Sequence, residues 1–157
     1  MNYMWIVNIC AGIGIILIIH FVYIFILSKK STKWRITEGK IISSEMNEIL
    51  DGGSSYYADI QYKYTIGEEE YFSDRIFYGN NIGKNLPFSS KTLVNKYVKE
   101  KKVIVYYNPR NPNESVLETG VHAVVYRALF SGILFLLLSV ILFFYEDFFV
   151  SVFSNGI

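Results

Sequence analysis

The chain has 157 residues, of which 52% are hydrophobic and 18% are charged, and its formal net charge at pH 7 is +1. This hydrophobic fraction is concentrated at the two ends and excludes an ordinary soluble domain, while the balanced charge excludes a nucleic-acid-binding protein. The single cysteine, Cys10, excludes a disulfide framework or a cysteine metal site within one chain.

The first predicted element is a transmembrane helix over residues 4–27. No charged residue occurs between Met4 and Leu27, and a helix of this length covers the roughly 30 Å hydrocarbon core of a bilayer. A cleaved signal peptide would carry positive charge before the apolar run and small residues after it. Here the run is followed by the basic stretch SKKSTKWR, so the sequence predicts an uncleaved anchor.

Basic residues flank the two apolar segments unevenly, and basic residues near helix ends stay on the cytoplasmic side of a membrane. The sequence therefore predicts a multi-pass protein of the inner (plasma) membrane, with both termini outside and the central domain in the cytoplasm. Binding of an anionic lipid head group is an open alternative role for the basic stretch. The predicted topology determinants are Lys29, Lys30, Lys33 and Arg35 after the first helix and Arg127 at the second.

Residues 28–120 are predicted to form one small β-rich cytoplasmic domain. Its charges are interspersed in sign outside the basic stretch. In ADIQYKYTI (58–66) apolar and polar residues alternate as in a half-buried strand, and Gly67 permits a tight turn into a second strand, EYFSDRIFYG. A strand in WRITEGKIISSEM precedes them, with a bulge or kink at Gly39 and a turn at DGGSS (51–55) after it. In this strand Trp34, Ile36, Ile42 and Met46 fall on one parity.

A short helix and a final pair of strands complete the predicted domain. SSKTLVNKYVKE has helical periodicity, with Ser89 or Ser90 able to cap its start, and it follows an irregular loop at 79–88. VIVYY (103–107) is apolar on both faces, which predicts a central strand buried on both sides. Pro109 ends this strand, so NPRNP is predicted to be a turn and SVLE a short returning edge strand.

A second transmembrane helix is predicted over residues 124–145, followed by a short tail at 146–157. The glycines of AGIGI (11–15) predict a close-packing face against this helix near Ser131 and Gly132, with ordinary membrane composition as the alternative. The predicted fold class is therefore a membrane protein in which two transmembrane helices flank a small antiparallel β-rich domain, a sandwich or an open barrel, with one short helix.

These elements together resemble a family of small, mostly bacterial membrane proteins known as domain of unknown function 3592. The resemblance is carried by WRITEGKI, the YYADIQYKYTIGEEEY hairpin, the helix ending in KYVKEKK and, most specifically, VIVYYNPRNPNESVLETG. Lys101 and Lys102 stand where the family often has a turn with glycine, and Asn108 stands where Asp is common. The resemblance implies a fold plan, a small β-rich module on two helices, and no activity.

Side chains with catalytic or metal-binding chemistry form no recognisable set in the sequence. His20 and His122 are far apart in the chain, no carboxylate lies at a ligand spacing with either, and no serine sits in a glycine-flanked elbow. His20 is an open candidate for a role in ion or proton movement or in helix pairing. Asp59 and Asp74 would form an acid and base pair only if the strand register brought them together. The sequence therefore predicts no enzyme, no catalytic or metal residues and no cofactor.

The predicted function is a non-enzymatic interaction module at a membrane surface. Its predicted partners are the lipid bilayer, a protein and, through the helices, a second copy of the chain. An immunity protein against a toxin that acts at the membrane is the alternative. Aromatic side chains anchor interfaces, and an acidic hairpin tip suits a basic partner. The candidate interaction residues are Trp34, Tyr56, Tyr57, Glu68, Glu69, Glu70 and Tyr78.

Overall fold

The computed structural model describes the backbone of residues 4–50, 54–79 and 87–154, and their side chains except at 48–50, 54–56, 87–89 and 146–154. The elements are α1 (Met4–Ser31), β1 (Arg35–Leu50), β2 (Ser54–Ile66), β3 (Glu69–Ser73), α2 (Pro87–Lys96), β4 (Lys102–Asn108), β5 (Asn111–Val116), a 3-10 turn (Ala123–Val125) and α3 (Tyr126–Ser154). They form two compact units, a helical unit within Met1–Tyr23 and Tyr126–Ile157 and a β-unit, Ile24–Val125.

Two long apolar helices, α1 and α3, carry the segments predicted to span a membrane. Met4–Ser31 and Ala123–Tyr145 are long and apolar enough to do so, with mean hydropathy 2.7 and 2.5. Residues 146–154, predicted to be in the tail, continue α3, because the sequence after two acidic residues becomes apolar again. Residues 155–157 of the predicted tail lie outside the described residues.

The helices of the helical unit approach each other closely at two glycines. A Cβ atom added to Gly14 would lie 2.9 Å from the carbonyl oxygen of Gly132, and one added to Gly132 would lie 3.0 Å from that of Gly14. The Ser139 hydroxyl also donates a hydrogen bond of 3.1 Å to the Val7 carbonyl oxygen. These contacts confirm the predicted close-packing face at Gly14, whereas a Cβ at Gly12 would meet nothing within 4 Å.

The β-unit is built on a five-stranded antiparallel sheet in the order β3-β2-β1-β4-β5. Its two edge strands, β3 and β5, contact each other, so the sheet is nearly closed into a barrel. Of the two forms predicted, the structure therefore has the open barrel. The predicted β2–β3 hairpin is also present, and its turn uses Gly67 at φ 65°, in the left-handed region that glycine adopts without strain.

The core lies inside this sheet and beneath α2. The alternation predicted for β2 is confirmed, because the side chains at even positions from Ala58 to Tyr64 are buried. Helix α2 packs against β1 and β2 and closes one side of the core. The buried cluster comprises Ile41, Ala58, Ile60, Tyr62, Tyr64, Ile76, Tyr97, Val105 and Leu117.

The residues that share one parity in β1 do not share one face of the sheet, because Ile36 has the opposite parity to the buried Ile41, whereas Met46 pairs with the buried Ala58. Ile36 is 65% exposed and Met46 is 48% exposed, whereas Ile41, of the opposite parity, is fully buried. The register shifts between Ile41 and Ser43, so the bulge follows Ile41 and does not lie at Gly39 as predicted. Such an extra residue changes which positions of a strand point inward.

Two predictions around β3 and α2 also need correction. β3 ends at Ser73, and Ile76 is buried outside any strand. Ser89 and Ser90 cannot cap α2, because the helix already begins at Pro87, a residue suited to the first helical position. Residues 51–53 of the predicted turn and 80–86 of the predicted loop lie outside the described residues.

The last two strands differ from prediction in burial and length. β4 is not buried on both sides, because Ile104 is 57% exposed while Val105 is fully buried. The second Asn-Pro lies inside β5, where Pro112 is tolerated because β5 is an edge strand. After β5 the Gly120 N–H donates a hydrogen bond of 3.3 Å to the Ser31 hydroxyl oxygen at the end of α1.

Candidate functional site

Three side chains from two distant parts of the chain, Trp34, Arg75 and Tyr78, form a stack next to the start of β1. The rings of Trp34 and Tyr78 meet edge to face, with centroids 5.8 Å apart and planes at 73°. The guanidinium carbon of Arg75 lies 5.0 Å from the centroid of the Tyr78 ring, within cation–π range. This set is called the Trp34 stack, and it joins two of the predicted interaction residues.

Backbone hydrogen bonds hold the members of the Trp34 stack in place. The Trp34 N–H donates to the Ser31 carbonyl oxygen at 3.1 Å, in the turn that ends α1. The Arg75 carbonyl oxygen accepts a hydrogen bond of 2.9 Å from the Tyr62 hydroxyl in the core. The Arg75 N–H donates to the Ser73 hydroxyl oxygen at 3.3 Å. The position of Arg75 therefore depends on a tyrosine buried inside the barrel.

Four exposed basic residues lie close to Trp34 in sequence, and Arg75 of the stack adds a fifth exposed cation. Lys29 also lies near a ring, with its ammonium group 5.9 Å from the centroid of Phe25. Among the described residues, the salt bridges all lie elsewhere in the β-unit, so none neutralises these cations. The set is called the basic cluster and comprises Lys29, Lys30, Lys33, Arg35 and Arg75.

The acidic residues lie at the tip of the β2–β3 hairpin. Glu68 lies in the turn between β2 and β3, next to Glu69, which pairs with Ile66. Glu70 accepts a hydrogen bond of 2.7 Å from Lys63. The side chains of Glu68, Glu69 and Glu70 are all exposed, and the Glu69 carboxylate accepts from the Tyr71 hydroxyl.

The two remaining predicted interaction residues lie on a two-stranded extension of the sheet. β1 and β2 pair as far as Leu50 and Ser54, beyond the parts that pair with β4 and β3. Tyr57 is half-buried there, and the Tyr56 side chain lies outside the described residues. Residues 41–62 contain four acidic residues and no Lys or Arg, so the prediction that charges are interspersed is wrong for this extension.

The register of the sheet separates the carboxylates considered as an acid and base pair. Asp59 pairs with Glu45 on β1, and the β2–β3 pairing ends where Tyr62 meets Ser73. Asp74 therefore comes level with Gln61 and not with Asp59. The strands do not bring the two aspartates opposite each other.

A second polar cluster centres on Glu118, which was not among the residues predicted from the sequence. One carboxylate oxygen accepts hydrogen bonds from the Lys96 ammonium group at 2.7 Å and from the Tyr97 hydroxyl at 2.6 Å. The other lies 3.7 Å from Nε2 of His122, whose ring stacks on Phe77 with centroids 4.0 Å apart. Glu118 lies four residues before His122 in the sequence, and the contact between them is an ion-pair contact and not a metal site.

The pKa values of this cluster shift in directions that follow from its contacts. Burial acts to raise the pKa of Glu118, but hydrogen bonds from Lys96 and Tyr97 outweigh it and leave that pKa lowered. Burial lowers the pKa of His122, although the Glu118 carboxylate acts in the opposite direction. Burial and the hydrogen bond to Glu118 raise the pKa of Tyr97. The cluster thus keeps Glu118 ionised and His122 neutral near pH 7, and it links α2 to the segment after β5.

Metal-binding side chains are not grouped in the part of the chain that the structure describes, which contains no set of three or more His, Cys, Asp or Glu able to hold an ion. The single cysteine, Cys10, is buried in α1. The pair formed by Glu118 and His122 has two candidate ligands, and a metal site needs three or four.

These features define a class of protein: a small, nearly closed antiparallel barrel inserted between two apolar helices of membrane-spanning length. The chain belongs to the family described as domain of unknown function (DUF3592), whose model matches residues 37–122. The match covers most of β1, all of the other strands and α2, and it confirms the resemblance found in the sequence. No curated protein matches the chain.

Proposed function

We propose that this chain is an integral membrane protein without enzymatic activity that presents its β-unit as a binding module at the inner face of the plasma membrane. The observation that carries the proposal is the exposed apolar surface of α1 and α3. In the most hydrophobic 18-residue stretch of each helix, only 11% is buried in α1 and 17% in α3. The core helix of a soluble protein would be mostly buried, so lipid is the environment that suits these helices.

The size of the exposed apolar surface makes a water-exposed arrangement unfavourable. Each square ångström of apolar surface left in water costs about 25 cal/mol relative to burial. A bilayer removes this surface from water without a protein partner. Side chains that are more than 60% exposed include Ile16, Ile19, Phe130, Leu134 and Ile141.

The distribution of basic residues supports a cytoplasmic β-unit. Lys29 and Lys30 lie in the last turn of α1, and Arg127 lies in the first turn of α3. All three therefore belong at the ends of the helices that connect to the β-unit, and basic residues at such positions favour the cytoplasmic side. The termini would then lie outside.

The interior of the barrel is filled by side chains, which supports a role for its outer surface. Tyr62 and Tyr64 fill the interior, and the Tyr62 hydroxyl lies 2.9 Å from the Ser115 hydroxyl. The outer residues of the Trp34 stack are an aromatic ring and an arginine, the side-chain types most often found at the centre of binding interfaces. Binding through the surface is therefore the activity that the β-unit is best suited to provide.

The membrane placement can be tested by labelling single cysteines in the full chain, after Cys10→Ser has removed the native thiol. We expect the protein to resist alkaline extraction of membranes. Glu68→Cys in the β-unit should react with an impermeant maleimide only after the membrane is opened, and Met4→Cys should react in intact cells. Release by alkali would contradict membrane insertion, and the reverse labelling pattern would place the β-unit outside.

The binding role can be tested with a photoreactive amino acid at exposed positions of the β-unit. We expect a discrete protein adduct from Glu68 or Tyr57, and none from Ile16, which faces lipid in this proposal. If none of the exposed β-unit positions gives an adduct that survives purification, the binding-module proposal is wrong. Self-association through the helices and the immunity role stay predictions from the sequence.

A further inference from the structure

We propose that the basic cluster and the Trp34 stack together bind the phosphate of an anionic phospholipid head group, an inference that rests on the proposed membrane function. The ligand would be a phospholipid with net negative charge, such as phosphatidylglycerol. The site lies wholly within the β-unit, at the point where α1 ends.

Charge complementarity is the first argument. Four cations of the basic cluster lie at or just after the end of α1, Arg75 packs on Tyr78, which contacts Trp34, and the described residues provide none of the five with an acidic partner in a salt bridge. Basic groups directly after a membrane helix attract anionic lipids at the inner membrane surface. Lys29, Lys30, Lys33 and Arg35 are close together in sequence, whereas Arg75 is distant in sequence and comes near Trp34 only in the folded chain.

The fixed position of Arg75 is the second argument. Its backbone is anchored to Tyr62 and its guanidinium group packs over the Tyr78 ring, yet the side chain remains exposed. Arginine offers a rigid planar fork of N–H donors that matches the geometry of a phosphate group. A guanidinium already held against a ring loses little freedom on binding, which favours a defined head-group site over diffuse attraction.

The aromatic members of the stack provide the third argument. Trp34 is half-buried and lies in the turn directly after α1, while Tyr78 is 6% exposed and supports both of its neighbours. Tryptophan is enriched at the level of lipid head groups because it combines an apolar ring with one N–H donor. Trp34 is therefore suited to lie beside the lipid whose phosphate Arg75 binds.

Glu68 gives the proposal a second, opposite consequence. It is an exposed carboxylate in the turn after β2, in the same unit as the basic cluster, so its negative charge opposes the binding of an anion to that unit. Replacement by glutamine should strengthen binding, whereas loss of Arg75 should weaken it. A general loss of folding would not produce changes of opposite sign.

The test uses the full chain in neutral detergent micelles with Trp5→Phe, which leaves Trp34 as the single tryptophan. Dioctanoyl phosphatidylglycerol should change the Trp34 fluorescence saturably, and dioctanoyl phosphatidylcholine should not. Arg75→Gln should weaken the apparent affinity about tenfold, as expected for loss of a charge-assisted hydrogen bond. Lys99→Gln with Lys102→Gln, a pair of exposed lysines outside the cluster, serves as the control and should leave the affinity unchanged.

Several outcomes would overturn the proposal. An equal response to phosphatidylcholine would show that charge is not recognised, and an equal loss in the lysine control would show diffuse attraction. Inorganic phosphate that reproduces the change at the same concentration would make the ligand a free anion. Micelles impose no topology, so the two proposals can fail separately. If the protein inserts correctly in cells but its fluorescence does not respond to phosphatidylglycerol, only this inference is contradicted. If the fluorescence responds but alkali releases the protein from membranes, only the proposed function is contradicted.

Discussion

The hydroxyl of Tyr64 on β2 donates a hydrogen bond of 2.6 Å to the carbonyl oxygen of Pro112 on β5. β2 and β5 are not neighbours in the strand order, so this bond crosses the interior of the barrel. Two positions away, the Tyr62 hydroxyl contacts Ser115 of β5 in the same way. Two tyrosines of β2 therefore form hydrogen bonds to β5 across the interior of the barrel.

Removal of these hydroxyls should destabilise the barrel in a graded way. Tyr64→Phe removes one hydrogen bond and should lower the free energy of unfolding by about 1 kcal/mol. Tyr62→Phe should cost more, roughly 1–3 kcal/mol, because the Arg75 carbonyl oxygen loses its donor and the Ser115 hydroxyl loses its buried partner. Chemical unfolding of the full chain in micelles, followed by near-ultraviolet circular dichroism, measures both.

Tyr106→Phe is the matched control, since Tyr106 is a half-buried residue of β4 outside this network. Its effect should be within about 0.5 kcal/mol. Equal losses from all three substitutions would show that the internal hydrogen bonds do not hold β5 in place.

Gly39 should tolerate no side chain, although it does not form the predicted bulge. A Cβ atom there would lie 2.5 Å from Cγ2 of Val105 and 2.8 Å from the Lys63 carbonyl oxygen. Because one of these neighbours is backbone, Gly39→Ala should lower the free energy of unfolding by about 1–3 kcal/mol, as overpacked cores do. Glu38→Ala, on the exposed face of the same strand, is the control in the same unfolding measurement. If Gly39→Ala leaves the free energy of unfolding unchanged, β1 can move away from β4 at little energetic cost.

The glycine contact between α1 and α3 can be tested with two neighbouring substitutions. A Cβ at Gly14 would lie 2.8 Å from Cγ of Leu136, whereas one at Gly12 would meet nothing within 4 Å. Gly14→Ala should therefore lower the midpoint of thermal unfolding in micelles, at a cost of about 1–3 kcal/mol, and Gly12→Ala should not. The same loss in both variants would point to a general effect on helix propensity.

Acid should weaken the Glu118 cluster in two steps. The pKa of His122 is lowered below its ordinary 6.5, so the unfolded chain binds more protons and stability falls as the pH drops below about 6.5. The pKa of Glu118 is lowered below 4.5, so a further loss begins below about 4.5. Unfolding of the full chain measured from pH 7.5 to 3.5 checks both windows.

Glu118→Gln separates the two contributions. It should abolish the loss below pH 4.5 that Glu118 causes, and it should lower the pKa of His122 further, because the carboxylate acts to raise it. Titration of the two histidines by nuclear magnetic resonance, with His20→Gln for assignment, gives the pKa directly. An upward shift of the His122 pKa would contradict this account.

The parts of the fold that could be predicted are those with a regular local pattern. The β2 face from Ala58 to Tyr64 follows strict alternation, and Gly67 provides the turn that the alternation needs. In β1 the bulge after Ile41 gives the residues before and after it opposite parities, so Ile36 lies on the outer face while Met46 pairs with the buried Ala58, and a bulge leaves little trace in a sequence. In VIVYY the exposed Ile104 is as apolar as the buried Val105 beside it, so the hydrophobic pattern could not tell the two faces apart.

The candidate site was partly predictable for a similar reason. Trp34 and the lysines are adjacent in sequence and were found, and Tyr78 was selected as an aromatic residue without a known neighbour. The contribution of Arg75 depends on tertiary contacts that only the fold creates. The four-residue spacing of Glu118 and His122 was visible in the sequence, but Gly120 between them removes the helical context that normally makes such a spacing informative.

The hydrogen bond between Gly120 and Ser31 has a consequence for how this domain can be reused. The polypeptide leaves α1 and returns from β5 at positions joined by one bond of 3.3 Å, so the intervening 88 residues, 32–119, begin and end at the same place. A segment with adjacent ends can be inserted into a loop of another protein, or removed and circularised, with little disturbance to either part. The two ends of the barrel segment therefore lie side by side, which is the arrangement that insertion into a loop requires.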